Sequence, residues 1–257
     1  MKRKLFLFDI DGTLYDVENA LIPPSTIFSL QELAKHHHLG IATGRSEFML
    51  FPIDEIIHFF NDFVLVNGQY IKSDKQVVYA DKINKDLINK LCLDMDKLNI
   101  TYGFQNIYEE AISNLNENVI NLFQKIGLKI PKEDKNYYLN NDVYQMFALC
   151  DQEKANILKD KHQEFQFIRW LNIGFDILPK KANKWQGVLR LINYLGIEIQ
   201  DVVAFGDGDN DVEMIQNAGI GIAMGNGTKN AKKVANYITT SVDKDGIYNA
   251  LKYYNFI

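Results

Sequence analysis

The sequence predicts an α/β fold: a doubly wound parallel sheet as the core, with an α+β domain inserted into it. Three observations predict it. Short apolar runs recur, and each ends on polar or glycine residues: 5–8 before Asp9, 39–42 before Thr43, 63–66 before Asn67, 202–205 before Gly206-Asp207, and 220–224 before Gly225. A short apolar run bounded by a turn signal reads as a strand buried on both faces, the condition of a parallel sheet covered by helices. Helical stretches alternate with the runs, which is a βαβ rhythm. That rhythm stops at about residue 81 and resumes after Pro179. The expected division is a core of residues 1–80 and 179–257 with an insertion at 81–178.

The elements follow in order. Residues 5–8 are the first strand, and Asp9-Ile10-Asp11-Gly12-Thr13 is its carboxyl end. Gly12 lets the chain turn away at once. Ser25, after Pro23-Pro24, predicts a helix cap, and Ile27, Leu30, Leu33 and Ala34 share one face of a helix running to about His37. His36-His37-His38 would close that helix, where positive charge is favoured. Adjacent residues on a helix do not face one another, so these histidines are expected at the surface and not as a metal tract. Thr43-Gly44-Arg45 ends the second strand, and a helix started or interrupted by Pro52 follows. Asn67-Gly68 ends the third strand. Residues 70–71 and 76–79 flank Lys72-Ser73-Asp74-Lys75 as a hairpin. In the insertion, helices are expected at 84–99, 117–126 and 152–161, and strands at 100–104, 143–149, 165–171 and 175–178. Beyond it come a helix at 184–195 closed by Gly196, a strand at 201–205, a helix from Val212 to about Ala218, and a strand at 220–224. A helix containing Ala231 and Val234, a strand at 237–239 and a helix at 246–254 complete the chain.

Composition sets bounds. The net charge is −5, and no basic run exceeds Lys2-Arg3-Lys4, so nucleic acid is not an expected partner. No apolar run is long enough for a bilayer, and no membrane partner is expected. The start passes from three basic residues directly into a strand, which predicts no secretory leader. Cys92 and Cys150 lie in different elements without metal spacing, as reduced thiols of a cytoplasmic protein would. Charge does not distinguish the two parts: basic and acidic residues number 12 and 15 in the insertion, 16 and 18 outside it.

Parallel strands bring their carboxyl ends to one edge, where α/β folds bind ligands. That edge collects Asp9 and Asp11, Thr43-Gly44-Arg45, Asn67, and Asp207 and Asp211, with Lys184 opening a helix. Ionised carboxylates side by side repel, and a hard divalent cation removes the conflict. Mg²⁺ takes oxygen ligands and binds through one or two carboxylates plus a phosphate. Asp9, Asp207 and Asp211 meet that demand, and no Cys or His cluster offers zinc an alternative. Such a set suits phosphoryl transfer, with Asp as nucleophile, Mg²⁺ and Lys184 offsetting the charge, Asp11 moving the proton and Thr43 donating to a phosphoryl oxygen.

These motifs resemble, in order and relative spacing, the four motifs of the haloacid dehalogenase superfamily. Thr43-Gly44-Arg45, Asn67-Gly68, Ala223-Met224-Gly225-Asn226 and Asp245-Gly246 resemble its Cof-type sugar-phosphatase branch, in which a large α+β cap is inserted between the second and third motifs. The resemblance implies a Rossmann-like core with a cap that chooses the substrate. It implies Asp9 as nucleophile and Mg²⁺ ligand. Asp11 becomes the general acid/base, with its backbone carbonyl also on the metal. Thr43 and Lys184 hold the phosphoryl group, Asp207 is a ligand, and Asp211 orients the metal shell. Ile10, Gly44, Arg45, Asn67 and Asn210 are the expected substrate-binding positions around the phosphate. Arg169 is the cap residue expected to set specificity, among Tyr102, Phe104, Gln105, Tyr144, Met146 and Trp170, most of which are expected as cap core. The third motif departs from the branch, with Trp185 where a glycine commonly follows the lysine. Lys180 and Lys181 stand near enough to be alternatives to Lys184. Trp185 is expected to pack on the core. Asp16 and Asp209 are expected to be solvated, and Gly225-Asn226-Gly227 to form a turn at the site's edge. The function implied is a Mg²⁺-dependent phosphatase of small phosphorylated metabolites, sugar phosphates or similar, acting through an aspartyl phosphate, as a monomer or weak homodimer. The alternatives are a phosphotransferase or mutase sharing that step and a non-catalytic phosphometabolite-binding regulator. A receiver domain also carries strand-end acids, a Thr and a Lys, but is much shorter and lacks both the insertion and the 206–211 motif.

Overall fold

A computed structural model describes residues 3–125, 127–170 and 173–257, with the side chain of Trp170 outside that description. The chain forms two compact units, Met1–Ala80 with Asn183–Ile257, and Asp81–Ala182.

In the first stretch, β1 (Leu5–Phe8), β2 (His38–Ala42) and β3 (Asp62–Leu65) pair in parallel. β4 (Tyr70–Ser73) and β5 (Gln76–Ala80) then add antiparallel strands. Their turn places Asp74 at φ 44° and Lys75 at φ 68°, the handedness that matches strand twist in two-residue hairpins. The helix α1 (Pro24–Ala34) differs from expectation at both ends. Pro23 stands at the cap and Pro24 presets the first turn, while the Ser25 hydroxyl donates to Asp245 Oδ1 at 2.6 Å instead of capping. Of the three histidines, His38 opens β2. His37 is buried, its Nδ1 accepting from the Lys4 N–H at 3.2 Å and its ring 5.0 Å from Phe6. The segment containing Pro52 is three 3₁₀ turns (Glu47–Met49, Phe51–Ile53, Ile57–Phe59) and not a helix. Leu50, Ile53 and Ile56 are buried there. A repeat of three aligns on one side of a 3₁₀ turn but drifts around an α-helix.

The second unit contains α2 (Lys85–Lys97), β6 (Thr101–Gln105), β7 (Glu110–Ile112), α3 (Glu117–Lys125), β8 (Lys132–Glu133), α4 (Tyr137–Asn140), β9 (Gln145–Leu149), α5 (Gln152–Lys161), β10 (Phe165–Trp170) and β11 (Gly174–Pro179). The strands order as β10-β11-β9-β6-β7-β8. The unit ends at Ala182 and not at 178 because β11 pairs through Pro179 and Gln166 Nε2 holds the carbonyls of Pro179 and Ala182. β7, β8 and α4 escaped the sequence reading, since two to four residues are too few to show a period. Residue 126, expected in a helix, and 171, expected in a strand, lie outside the described residues. Leu91 and Met95 of α2 and Leu158 of α5 share a core with Tyr102, Phe104 and Met146 of the sheet.

The chain then returns to the first unit with α6 (Lys184–Leu195), β12 (Val202–Gly206), α7 (Val212–Asn217), β13 (Ile220–Ala223), α8 (Lys229–Val234), β14 (Tyr237–Ile238) and α9 (Gly246–Tyr253). The sheet order is β14-β13-β12-β1-β2-β3-β4-β5, with the β14-to-β3 part parallel. Trp185, Val188 and Leu191 of α6 pack on Leu5 and Leu7, while Phe6, alternating to the opposite face, meets His37 and Phe256. Connections run outward from β1 in one direction and from β12 in the other. The crevice at the carboxyl ends of β1 and β12 is therefore the topological switch point, where open α/β sheets bind ligands. Among the described residues, no helix is long and apolar enough to cross a membrane.

Candidate active site

Asp9 follows β1 directly, and its N–H donates to Phe205 O of β12 at 3.0 Å. Gly12 then turns the chain at φ 75°; a Cβ there would stand 2.3 Å from Asp207 Oδ2. Only glycine permits both the left-handed backbone and that approach. Asp207 follows β12. Four residues on, Asp211 folds back so that its Oδ2 accepts from the N–H groups of Asp207 at 3.0 Å and Gly208 at 2.9 Å. A Cβ on Gly206 would meet the Asp211 carboxyl at 2.6 Å.

Lys184 opens α6, where the Asn183 side chain caps by accepting from the Gln186 N–H at 2.7 Å. The helix start is held close to the β3 end because Gly187 faces Gly68, with space for no Cβ between them. Lys184 is 1% exposed, and its ammonium donates to Asp9 Oδ1 at 2.7 Å and Asp211 Oδ1 at 2.6 Å. Lys180 and Lys181 are exposed, so burial singles out Lys184.

The electrostatics follow from this crowding. Burial, then the charge of Asp211, raises the Asp9 carboxyl well above its ordinary value, and Lys184 opposes the shift. Asp207 is pushed up to about 7, first by burial and then by Asp211. Burial works against the Lys184 ammonium, but Asp211 and Asp9 outweigh it and raise its pKa. One oxygen from each of Asp9, Asp207 and Asp211 lies within 4.8 Å of the others. Three hard oxygen donors with a surplus of negative charge can hold a divalent cation of the Mg²⁺ kind.

The remaining polar residues flank this group. Arg45 grips Asp11 with two nitrogens, Nε to Oδ2 at 2.7 Å and Nη2 to Oδ1 at 2.8 Å, and its Nη1 donates to Met49 O at 2.8 Å. Burial disfavours the guanidinium, and Asp11 more than restores it. Thr43 is buried; its Oγ1 accepts from the Arg45 N–H at 3.1 Å and its carbonyl from the Asn67 N–H at 3.0 Å. Asn67 sits at φ 51°, with Oδ1 accepting from Asn210 Nδ2 at 3.4 Å. A Cβ on Gly44 would lie 3.1 Å from Asn67 Nδ2, so Gly44 belongs to the same patch. The Ile10 side chain is wholly buried and its carbonyl accepts from Leu14 and Tyr15, which leaves its N–H as the polar group it can offer.

The profile of the haloacid dehalogenase-like hydrolases matches residues 6–251 of this chain. The chain belongs to that family.

Within the family it falls in the Cof-type branch and is a phosphatase of small phosphorylated substrates. YkrA of Bacillus subtilis (strain 168), provisionally named a phosphatase, is 33% identical over 98% of both chains. YitU of the same organism, named a 5-amino-6-(5-phospho-D-ribitylamino)uracil phosphatase, is 28% identical over 98% of both. The solved structure of the subclass IIB sugar phosphatase BT4131 is 29% identical, with a TM-score of 0.88 over 99% of this chain and 100% of that one.

In this haloacid dehalogenase-like hydrolase, the second unit's sequence candidates are placed within their own sheet. Arg169 donates to Gln152 Oε1 at 2.9 Å and lies 5.5 Å from the Phe175 ring. Register places it opposite Phe175, on the sheet face that carries the helix-packed core. Tyr102, Phe104 and Met146 belong to that same core. Tyr144 is buried, Gln105 lies on the other face of the sheet, and the Trp170 side chain is outside the described residues. Asp16 is not simply solvated: it accepts from Glu18 N–H, Asn19 N–H and Asn19 Nδ2, and the Asn19 side chain leads in holding its carboxyl below the usual range. Asp209 accepts from Thr228 Oγ1 and Asn230 Nδ2.

Asn226, read from the sequence only as part of a turn, is a strut of the site. Its Nδ2 donates to Gly12 O at 2.8 Å and reaches Asp207 Oδ2 at 3.4 Å, while its Oδ1 accepts from the Val242 N–H at 2.9 Å. Its sequence signal is an amide between two glycines just after a strand, which a plain turn matches equally well.

Proposed function

We propose that the chain is a Mg²⁺-dependent phosphatase of sugar phosphates and similar polyhydroxylated phosphomonoesters, acting through an aspartyl phosphate on Asp9. The observation that carries this reading is the placement of Asp9: at the end of β1, 2.7 Å from a buried ammonium and within one oxygen cluster with Asp207 and Asp211. Asp9, Asp207 and Asp211, with the Asp11 carbonyl, would hold Mg²⁺, which when bound supplies positive charge to the phosphoryl oxygens.

The steps belong to the chain's own residues. A carboxylate oxygen of Asp9 attacks phosphorus, and Lys184 favours the ionised form this requires. The P–O ester bond breaks, its electron pair leaves on the organic oxygen, and Asp11 gives that oxygen its proton. A water then attacks phosphorus and passes a proton to Asp11. The bond from phosphorus to Asp9 breaks, inorganic phosphate leaves, and the Asp9 carboxylate is restored. The Thr43 hydroxyl and Lys184 ammonium donate to the phosphoryl oxygens. Arg45, joined to Asp11 by two nitrogens, fixes the plane of that carboxyl. The unit Asp81–Ala182 selects the organic group; the sugar and ribityl phosphates in the names of BT4131 and YitU support that substrate class.

The test is phosphate release from 4-nitrophenyl phosphate with Mg²⁺ and with chelator, for wild type and Asp9→Asn. Release that needs Mg²⁺ and vanishes in the variant is the expected result, together with an acid-stable acyl phosphate trapped on Asp9. Metal-independent release, or turnover retained in Asp9→Asn, overturns the reading.

A further inference from the structure

Asn226 lies between two glycines just past β13, in a loop that folds back over Asp207. The Thr228 N–H donates to Asp207 O at 2.8 Å, and a Cβ on Gly227 would stand 2.9 Å from that same oxygen. The loop is tied at its base as well, where the Gly225 N–H donates to Thr240 O at 3.0 Å. Asn226 Oδ1 accepts from the Val242 N–H at 2.9 Å. A backbone N–H requires an acceptor, so this contact fixes which end of the amide points where. Nδ2 is thereby aimed at the strand ends, 2.8 Å from Gly12 O and 3.4 Å from Asp207 Oδ2.

One amide thus joins the two loops that carry the strand-end acids. The paired register of β1 and β12 runs to Phe8 and Phe205. Past it the chains part into Asp9–Thr13 and Asp207–Asp211, and Asn226 spans them. It also treats the two Asp207 oxygens differently. Oδ2 takes the amide and is backed by Gly12, where no Cβ fits. Oδ1, which the Thr13 hydroxyl approaches at 3.5 Å, is the oxygen left for a cation. Ca²⁺ takes more oxygens at longer range, about 2.3–2.6 Å, and often both oxygens of one carboxylate. Mg²⁺ demands a tight octahedron at about 2.0–2.1 Å. A braced gap with a one-oxygen Asp207 suits the smaller ion.

We propose that Asn226 is a positioning residue that makes the Asp9–Asp207–Asp211 site prefer Mg²⁺ over Ca²⁺. It does so by holding Asp207 to one oxygen and by fixing the spacing of the two loops. The inference rests on the reading of this chain as a Mg²⁺-dependent phosphatase. Asn226 is exposed, so its replacement opens no cavity.

The experiment titrates metal-free protein with MgCl₂ and with CaCl₂ by isothermal calorimetry, for wild type, Asn226→Ala, Asn226→Asp and Asp207→Asn. Phosphate release with Mg²⁺ and the metal-free melting temperature are measured alongside. Asn226→Asp keeps an acceptor for Val242 and loses both donations, which separates the brace from the loop tie. Asn226→Ala should shift the ratio of the two dissociation constants about tenfold toward Ca²⁺, mainly through weaker Mg²⁺ binding. Asn226→Asp should shift it at least as far. A ratio unmoved in Asn226→Ala, both ions weakened equally, or a wild-type ratio restored in Asn226→Asp overturns this inference alone, provided the wild type releases phosphate with Mg²⁺. A wild type that binds neither ion, or Mg²⁺ binding unchanged in Asp207→Asn, overturns it together with the Mg²⁺-dependent reading.

Discussion

Carboxyls crowd together at the β1/β12 crevice and on the second unit's sheet, and they are compensated in different ways. At the β1/β12 crevice, Asp9 and Asp211 close on one ammonium, and Asp211 is further held by two backbone N–H groups. On the second unit, Glu110 meets an amide and Asp176 meets no cation among the described residues. In the first arrangement the Lys184 ammonium opposes the rise that burial and Asp211 impose on Asp9. The second leaves its acids with no counter-charge among the described residues, and burial raises both. Burial acts on both; the partner decides what a buried acid is able to do.

The largest expected effect separates nucleophile from bystander. Asp9→Asn should lower turnover by at least about 10⁴-fold with the circular dichroism spectrum unchanged; phosphate release measures it. Next comes the ammonium. Lys184→Met leaves Asp9 and Asp211 buried without a cation, so denaturant unfolding should show a loss of about 3–5 kcal/mol. Glu110→Gln strands no partner and should stay within about 1 kcal/mol of wild type; equal losses would erase the contrast. Arg45→Lys cannot grip Asp11 with two nitrogens, and kcat/KM should fall roughly tenfold, with the fall carried by kcat if Arg45 positions Asp11.

The last comparison is in pH. Asp207, Glu110 and Asp176 sit near 7 in the folded chain, against values near 4 when unfolded. Between those values the folded state binds more protons, so the stability these groups contribute in the metal-free protein falls as pH rises from about 4 to about 7. Mg²⁺ should restore the Asp207 share and leave the second unit's share untouched. Thermal unfolding should therefore show a larger Mg²⁺ stabilisation at pH 8 than at pH 5, and Glu110→Gln should flatten the remaining slope. A Mg²⁺ effect independent of pH would break the link between Asp207 and the cation.

Much of the parallel core was legible because its strands are buried on both faces, and such strands write unbroken apolar runs that stop at Asp9, Thr43, Asn67 and Gly206. The strand-end acids were legible for the same reason, since nothing in a buried strand calls for charge at its end. The Pro52 segment was misread because a proline beside apolar residues suits a helix start and a 3₁₀ turn alike, and a spacing of three residues separates them only weakly. His37 was placed at the surface because burial of a histidine depends on a distant chain, here Phe256. Arg169 was chosen by residue type, and its register opposite Phe175 is a fact of strand pairing that the sequence does not show.

By itself the sequence determined the α/β class, the order of the motifs and the carboxyl-end edge that gathers them, because these depend on local apolar periodicity and on the rule that parallel strands share one direction. Tertiary structure alone decided which lysine is the buried one, that Arg45 closes on Asp11, that Asn226 ties Gly12 to Asp207, and that Glu110 and Asp176 share a face. Each of those is a contact between residues far apart in the chain, set by strand order and register, and neither quantity leaves a local trace in the sequence.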